Sequence, residues 1–162
     1  MKGKPSILLL DTNIWLDNYL GYRPFSRESR ELIVRSAEAD ITLAYAATSI
    51  KDVFYCINSE FKRMIREQKG QVSDSDAQAC NETAWGCIQS MSAIAVAATV
   101  AEPQVSLARH YKRLDRDFED DLILAIMEWS KADYLVTNDA VLQRKCPFPA
   151  LTSKDMLALL SP

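Results

Sequence analysis

Three places along this 162-residue chain set carboxylates where they could hold a metal ion. Asp11 closes the apolar run Ile7-Leu8-Leu9-Leu10, and Asp139 follows Tyr134-Leu135-Val136 through Thr137-Asn138. Between them, Asp117-Phe118-Glu119-Asp120-Asp121 places four acids in five positions ahead of the apolar stretch 122–127. Taken singly, Asp11 and Asp139 can equally be helix N-caps, whose side chains accept hydrogen bonds from free backbone N–H groups. The third cluster is harder to explain that way. Asp117 suits an N-cap and the helix dipole favours acids in a first turn, but Asp117, Asp120 and Asp121 share one side at i, i+3 and i+4. Like charges at that spacing repel unless a cation lies between them. A hard divalent cation held by oxygen ligands and water would be such a counter-charge.

These acids need elements to carry them. Residues 6–10 form a short continuous apolar run, the pattern of a strand buried on both faces in a parallel sheet. The chain then alternates: helices over 12–20 and 26–39, a strand over 41–46, a long helix over 49–68, and a break at Gly70 and 73–75. A helix over 76–91, a strand over 93–98, helices over 104–114 and 118–131, and a strand over 134–136 follow. A short strand near 150–151 precedes a terminal helix from Ser153. Strands separated by helices predict an α/β fold with a parallel sheet covered on both faces. In such sheets ligands bind beyond the carboxyl ends of the strands, where Asp11 and Asp139 are expected.

Composition narrows the chemistry. With 48% hydrophobic residues the chain has material for one real core, and no linker or repeat divides it, so one domain over 1–162 is expected. A net charge of -3 argues against nucleic-acid binding by bulk positive charge, leaving local or metal-mediated contact. The four cysteines form no CxxC pair and there is one histidine, His110, so the usual zinc ligands are missing and a histidine-pair ribonuclease mechanism is excluded by count. The thiols read as reduced, in a cytoplasmic protein, and no run reaches the roughly 18 apolar residues of a membrane span. Two basic clusters stand out. Lys62, Arg63, Arg66 and Lys69 suit a solvated helix end, whereas Arg109, Lys112, Arg113 and Arg116 lead into the acids and are candidates for phosphate contact. Trp15, Trp85 and Trp129 sit in helical patterns and are expected in a core or interface.

Leu10-Asp11-Thr12-Asn13, Asp120 heading an apolar helix, and Val136-Thr137-Asn138-Asp139 after a late strand resemble the successive motifs of PIN-domain nucleases, in the same order across nearly the whole chain. The segments 16–25, Ala47-Thr48-Ser49-Ile50 and Asp117-Phe118-Glu119-Asp120 resemble a bacterial branch of that family. The resemblance implies a compact three-layer α/β/α domain with a central, mostly parallel sheet, Mg²⁺ or Mn²⁺ dependence, and hydrolysis of phosphodiester bonds, usually of RNA. It implies Asp11, Asp120 and Asp139 as metal ligands, with Asn13 and Thr137 as polar supports. The family's glutamate on the helix after the second strand corresponds here to Asp52, a shorter carboxylate that also suits a first-turn dipole partner beside a capping Ser49. Many small bacterial members are toxins that form homodimers and are neutralised by a cognate antitoxin, so the resemblance implies those partners as well.

A haloacid-dehalogenase-like phosphatase would need a second acid two residues after Asp11, where Asn13 stands, and a receiver-type domain would need an acid pair after the first strand. A PIN fold that binds RNA or a protein without cutting is the remaining alternative, kept open by Asp52.

Overall fold

The computed structural model describes residues 5–114 and 117–161. Its centre is β1 (Ile7–Leu10), with Leu8, Leu9 and Leu10 fully buried. Successive side chains of a strand point to opposite faces. Leu8 and Leu10 accordingly join one apolar cluster and Leu9 another, so β1 has protein on both sides. The chain continues through α1 (Thr12–Tyr19), α2 (Ser26–Glu38), β2 (Thr42–Ala46), α3 (Ser49–Lys69), α4 (Asp74–Ile94) and β3 (Val96–Ala98). It then runs through α5 (Glu102–Tyr111), α6 (Phe118–Ser130), β4 (Tyr134–Val136), α7 (Ala140–Lys145), β5 (Ala150–Leu151) and α8 (Ser153–Leu160).

All strand pairs are parallel, in the order β3-β2-β1-β4-β5. Winding moves outward from β1 to β3, then returns to lay β4 on the other side of β1. The reversal leaves a crevice between the carboxyl ends of β1 and β4, the place where open α/β sheets bind ligands. One layer, built from α1, α2, α3, α4 and α8, packs Ile14, Trp15, Leu32, Val53, Ile57, Met91 and Met156 onto Leu8, Leu10, Leu43 and Tyr45. Ile123, Leu124, Ile126 and Met127 of α6, with Leu142 of α7, cover Leu9, Ala44 and Leu135 from the other side. Helix α5 rests on α6 through Ala108, Leu122 and Ala125. The architecture is the three-layer α/β/α fold expected from the strand and helix order.

Three local expectations change. The strand expected over 93–98 is only Val96–Ala98, because α4 runs on through Ile94. Alanine has the highest helix propensity and nothing before Ala95 breaks the helix, whereas β-branched Val96 suits extended backbone. Helix α7 has no counterpart in the sequence reading, being too short to show an apolar period. Ser49 is not the cap of α3. Thr48 holds that position without a side-chain bond, and Ser49 opens the helix fully buried. The turn into α4 is better built, since Ser73 and Asp76 form a reciprocal capping box and Lys69 pairs with Asp76 at 2.8 Å.

Of the three tryptophans only Trp15 is core, edge-on to Tyr45 at 6.0 Å between centroids; Trp85 and Trp129 are exposed. Lys131 ends α6 with φ 58, a left-handed conformation that costs an L-residue about 1–2 kcal/mol. Glycine is favoured at such helix ends. Lys131→Gly is therefore expected to raise stability by roughly 1 kcal/mol, read from urea unfolding, after allowing for glycine's greater loss of chain entropy.

Candidate active site

Strand β1 delivers Asp11 to the crevice and clamps it there. The Asp11 backbone N–H donates to the Val136 carbonyl at 3.0 Å, extending the β1–β4 pairing to the rim. Oδ1 accepts from the Thr12 N–H at 2.7 Å, so Asp11 does cap α1. Its other oxygen faces β4, where Oδ2 accepts from the Thr137 hydroxyl at 2.7 Å and from Asn13 Nδ2 at 2.5 Å. Thr137 Oγ1 in turn accepts from the Asp139 N–H at 3.1 Å and from Asn13 Nδ2 at 3.1 Å. Asn13 and Thr137 thus hold Asp11 and the Asp139 backbone in one hydrogen-bonded unit.

Burial lifts the Asp11 pKa above the ordinary aspartate range; the bonds from Thr137, Thr12 and Asn13 oppose the shift and the charge of Asp139 adds to it. Glu119, in the first turn of α6, is also held above the usual glutamate range, by partial desolvation and then by the charges of Asp52, Asp11 and Asp117. It reaches across the site, with Thr12 Oγ1 3.4 Å from Glu119 Oε1 and donating to Ser49 Oγ at 2.9 Å. Thr12 thus links the start of α1 to Ser49 on α3 and to Glu119 on α6, while Asp139 acts on Asp11, and Asp52 and Asp11 act on Glu119, through their charges.

In the sequence Glu119 gives no sign of a site role, because an acid in a first helical turn has a sufficient local explanation in the dipole. Its neighbour Asp120 lies half-buried in the same turn, and Asp117 caps it, Oδ1 accepting from the Glu119 N–H at 2.8 Å. Asp52 sits in the first turn of α3 with Lys51 at 3.3 Å. Asp139 caps α7, its Oδ1 accepting from the Val141 and Leu142 N–H groups at 2.7 and 3.2 Å. Asp11 and Asp139 thus each cap a helix, as the local reading of each has it, and both stand at the carboxyl ends of their strands.

Asn138, between Thr137 and Asp139, ties this rim to the body of the protein. Its backbone N–H donates to Asn13 Oδ1 at 3.0 Å. Its side-chain oxygen accepts from the Ser153 N–H and hydroxyl at 3.0 and 3.1 Å. Its amide nitrogen donates to Asp17 Oδ2 at 2.8 Å and to Ser29 Oγ at 3.3 Å. Asp17 is a carboxylate only 1% exposed, and its other oxygen takes Arg23 Nε at 2.5 Å. Neither Asp17 nor Asn138 stands out in the sequence as a site residue, because an acid inside a helical pattern gives no sign of being buried.

In the first basic cluster Arg63 is bound by Glu60 at 2.8 Å and Glu67 at 2.6 Å, and Lys69 by Asp76 at 2.8 Å. In the second, Arg109, Lys112 and Arg113 are exposed, and Arg116 lies outside the described residues. His110 is exposed on α5 beside Trp129, at the far end of α6 from the acids.

Among the described residues no three His, Cys, Asp or Glu side chains are drawn close enough to hold a metal ion as they stand. Also among the described residues, no Lys, Arg or His pairs with Asp11, Glu119 or Asp139. Asp11 and Glu119 thus both hold a proton more tightly than usual, with a neighbouring carboxylate contributing to each and no basic partner among the described residues. An oxygen-only donor set of that kind fits a hard divalent cation that keeps part of its water.

A family profile described as PIN domain matches residues 7–140. Among curated proteins none matches the chain by sequence. Among solved structures the chain is similar to VapBC2 from Rickettsia felis, bound to a DNA fragment from its promoter. That likeness has a TM-score of 0.64 and 14% identity over 90% of this chain and 98% of that one. It is also similar to FitAcB from Neisseria gonorrhoeae, with a TM-score of 0.61 and 12% identity over 91% and 98% of the two chains. A third likeness is to Mycobacterium tuberculosis VapC20, a sarcin-ricin loop cleaving toxin, with a TM-score of 0.53 and 13% identity over 85% and 93%. At these identities the likeness is one of fold.

Proposed function

Since the chain belongs to the PIN-domain family, we propose that it is a metal-dependent endoribonuclease whose site lies in the β1–β4 crevice. Asp11, Asp120 and Asp139 serve as the carboxylate ligands, Asp52 takes the place of the family's glutamate, and Glu119 joins them at the rim. The observation that carries this reading is Asp11, clamped at the β1 end by Thr137 and Asn13 beside Asp139, with Glu119 of α6 reaching Thr12 across the same rim. A bound Mg²⁺ or Mn²⁺ would supply an activated water and charge relief on the phosphate oxygens. The chain's own part is positional. Asn13 and Thr137 orient Asp11, Thr12 contacts Glu119, and the half-buried Asn138 holds the rim that carries Asp139. The likeness in fold to VapBC and FitAB proteins supports a toxin role with a cognate antitoxin, and a homodimer is proposed from the family resemblance alone; co-expression and size-exclusion chromatography test the two.

Incubation with a mixed RNA pool is expected to give internal cuts with Mn²⁺ or Mg²⁺ and none with EDTA. Cutting that persists in EDTA would refute the metal assignment, and intact RNA under every metal condition would favour the non-cleaving binding module. Within the acidic cluster, Asp120→Asn is expected to reduce cleavage far more than Asp117→Asn. Asp117 acts as a cap, so Asp117→Ala should lower stability by about 0.5–2 kcal/mol. A greater kinetic effect of Asp117→Asn would shift the ligand role by one turn.

A further inference from the structure

A groove of about 330 Å³ opens between the α1–α2 turn and α3, lined by Leu16, Leu20, Tyr22, Arg23, Tyr55 and Cys56 among others. It adjoins the acids. Asp52 and Cys56 are four residues apart on α3 and so share a face, one helical turn or about 5.4 Å along the axis. We propose that this groove is a subsite for one nucleotide of single-stranded RNA next to the scissile phosphate, with Arg23 binding a backbone phosphate and Tyr55 stacking on a base. The proposal rests on the nuclease reading and names how its substrate is held.

The guanidinium of Arg23 is the first reason. Its Nε is fixed by the buried Asp17 carboxylate at 2.5 Å, while the side chain remains one-third exposed. Among the described residues no hydrogen bond engages its two terminal nitrogens. A planar, permanently charged group held from behind and open in front is pre-organised for a phosphate. Asp17 also holds Asn138, so the same carboxylate fixes the phosphate-binding cation and the rim that carries Asp139.

The aromatic walls are the second. Tyr55 is 63% exposed on α3, its ring held edge-on by Phe54 at 5.3 Å between centroids. Tyr22 donates its hydroxyl to Glu60 at 2.5 Å, which ties the α1–α2 turn to α3 across the groove. Glu60 also lines the groove, and Arg63 compensates its charge at 2.8 Å. Exposed aromatic faces beside an anchored cation are the common pattern of sequence-tolerant single-strand binding. Such local contacts suit a chain whose net charge of -3 gives no general attraction for RNA.

The test is fluorescence anisotropy of labelled single-stranded RNA octamers with the intact protein in EDTA, where no turnover occurs, at several salt concentrations. Mn²⁺ thermal shifts are measured on the same proteins. Arg23→Gln is expected to weaken RNA binding about tenfold and to reduce the slope of log affinity against log salt by roughly 0.7, one phosphate contact to a single strand. Arg23→Lys should restore the slope but not the full affinity, since it keeps the charge and loses the fork. Tyr55→Ala, on the surface of α3, should weaken binding roughly five- to hundredfold, the range of a lost base stack, and leave the Mn²⁺ shift unchanged. If Arg23→Gln fails to fold, the lysine and tyrosine variants carry the test. Affinity and salt slope unchanged in these variants would overturn the subsite and leave the groove to a protein partner. A parent that binds RNA through the groove but gives no Mn²⁺ shift would instead leave the subsite standing and refute the metal-dependent nuclease reading.

Discussion

Asp11→Asn is expected to abolish RNA cleavage while the protein stays folded and, without metal, melts at the same or a higher temperature than the parent. Changes to groups that merely support metal ligands cost 10–100-fold in activity or affinity, so loss of a buried ligand should exceed about a hundredfold. The stability effect has the opposite sign because the Asp11 pKa is raised in the folded protein, first by burial and also by Asp139. A carboxyl that binds its proton more tightly when folded contributes stability below the unfolded value, near 3.9, and loses that contribution as pH rises through its folded value. Holding Asp11 ionised in the folded protein is therefore a cost, as is holding Glu119 ionised, whose pKa is raised too.

Asparagine removes that cost for position 11 and caps α1 nearly as well. It also removes the response to metal. An ion that binds only the native state stabilises it by about 2.7 kcal/mol at a hundredfold excess over Kd, and this shift should largely vanish in the variant. In the parent the shift should shrink as pH falls into the range where Asp11 and Glu119 take up protons. Differential scanning fluorimetry of both proteins with and without Mn²⁺ decides the matter. A full metal shift together with full activity in Asp11→Asn would remove Asp11 from the site.

The strands, their parallel pairing and the strand-end acids were legible in the sequence because each rests on a pattern that local physics writes plainly. An apolar run such as Ile7-Leu8-Leu9-Leu10 can be buried on both faces only in a covered sheet, and an aspartate directly after it must emerge at the rim. What was illegible depends on three-dimensional placement. Glu119 looks like a dipole partner until α6 is seen to direct it toward Asp52 and Asp11. Asp17 looks like a surface acid of α1 until the turn at residues 20–25 brings Arg23 back onto it and β4 sets Asn138 against it. The family resemblance implies Asn13 and Thr137 as polar supports near a metal; in the structure each touches the same Asp11 oxygen.

Asn138 carries the second large effect, because an amide is the group that can satisfy its surroundings. It must donate toward the Asp17 carboxylate and accept from the Ser153 N–H and hydroxyl, and only a side chain with both functions does so. Asn138→Ala leaves those buried groups without their partner and should lower stability by about 2–4 kcal/mol. Asn138→Asp keeps the shape and still accepts from Ser153, but it sets a second carboxyl oxygen against Asp17 Oδ2, where the parent has a bond of 2.8 Å. Two carboxylates that close cannot both be ionised without a severe penalty, so the pair is expected to share a proton. The introduced carboxyl then binds its proton more tightly in the folded state than in the unfolded chain. Its variant should therefore be closest to the parent near pH 4 and lose stability progressively as pH rises toward neutrality, by about 3 kcal/mol or more. Arg23 neutralises only one of the two charges. Because the same residue fixes the Thr137–Asp139 rim, the Mn²⁺ shift should weaken with the stability. Urea unfolding of Asn138→Asp and parent between pH 4 and pH 8 gives the answer: a stability difference that stays flat over that interval would show that the Asp17–Asn138 contact does not hold the rim as described.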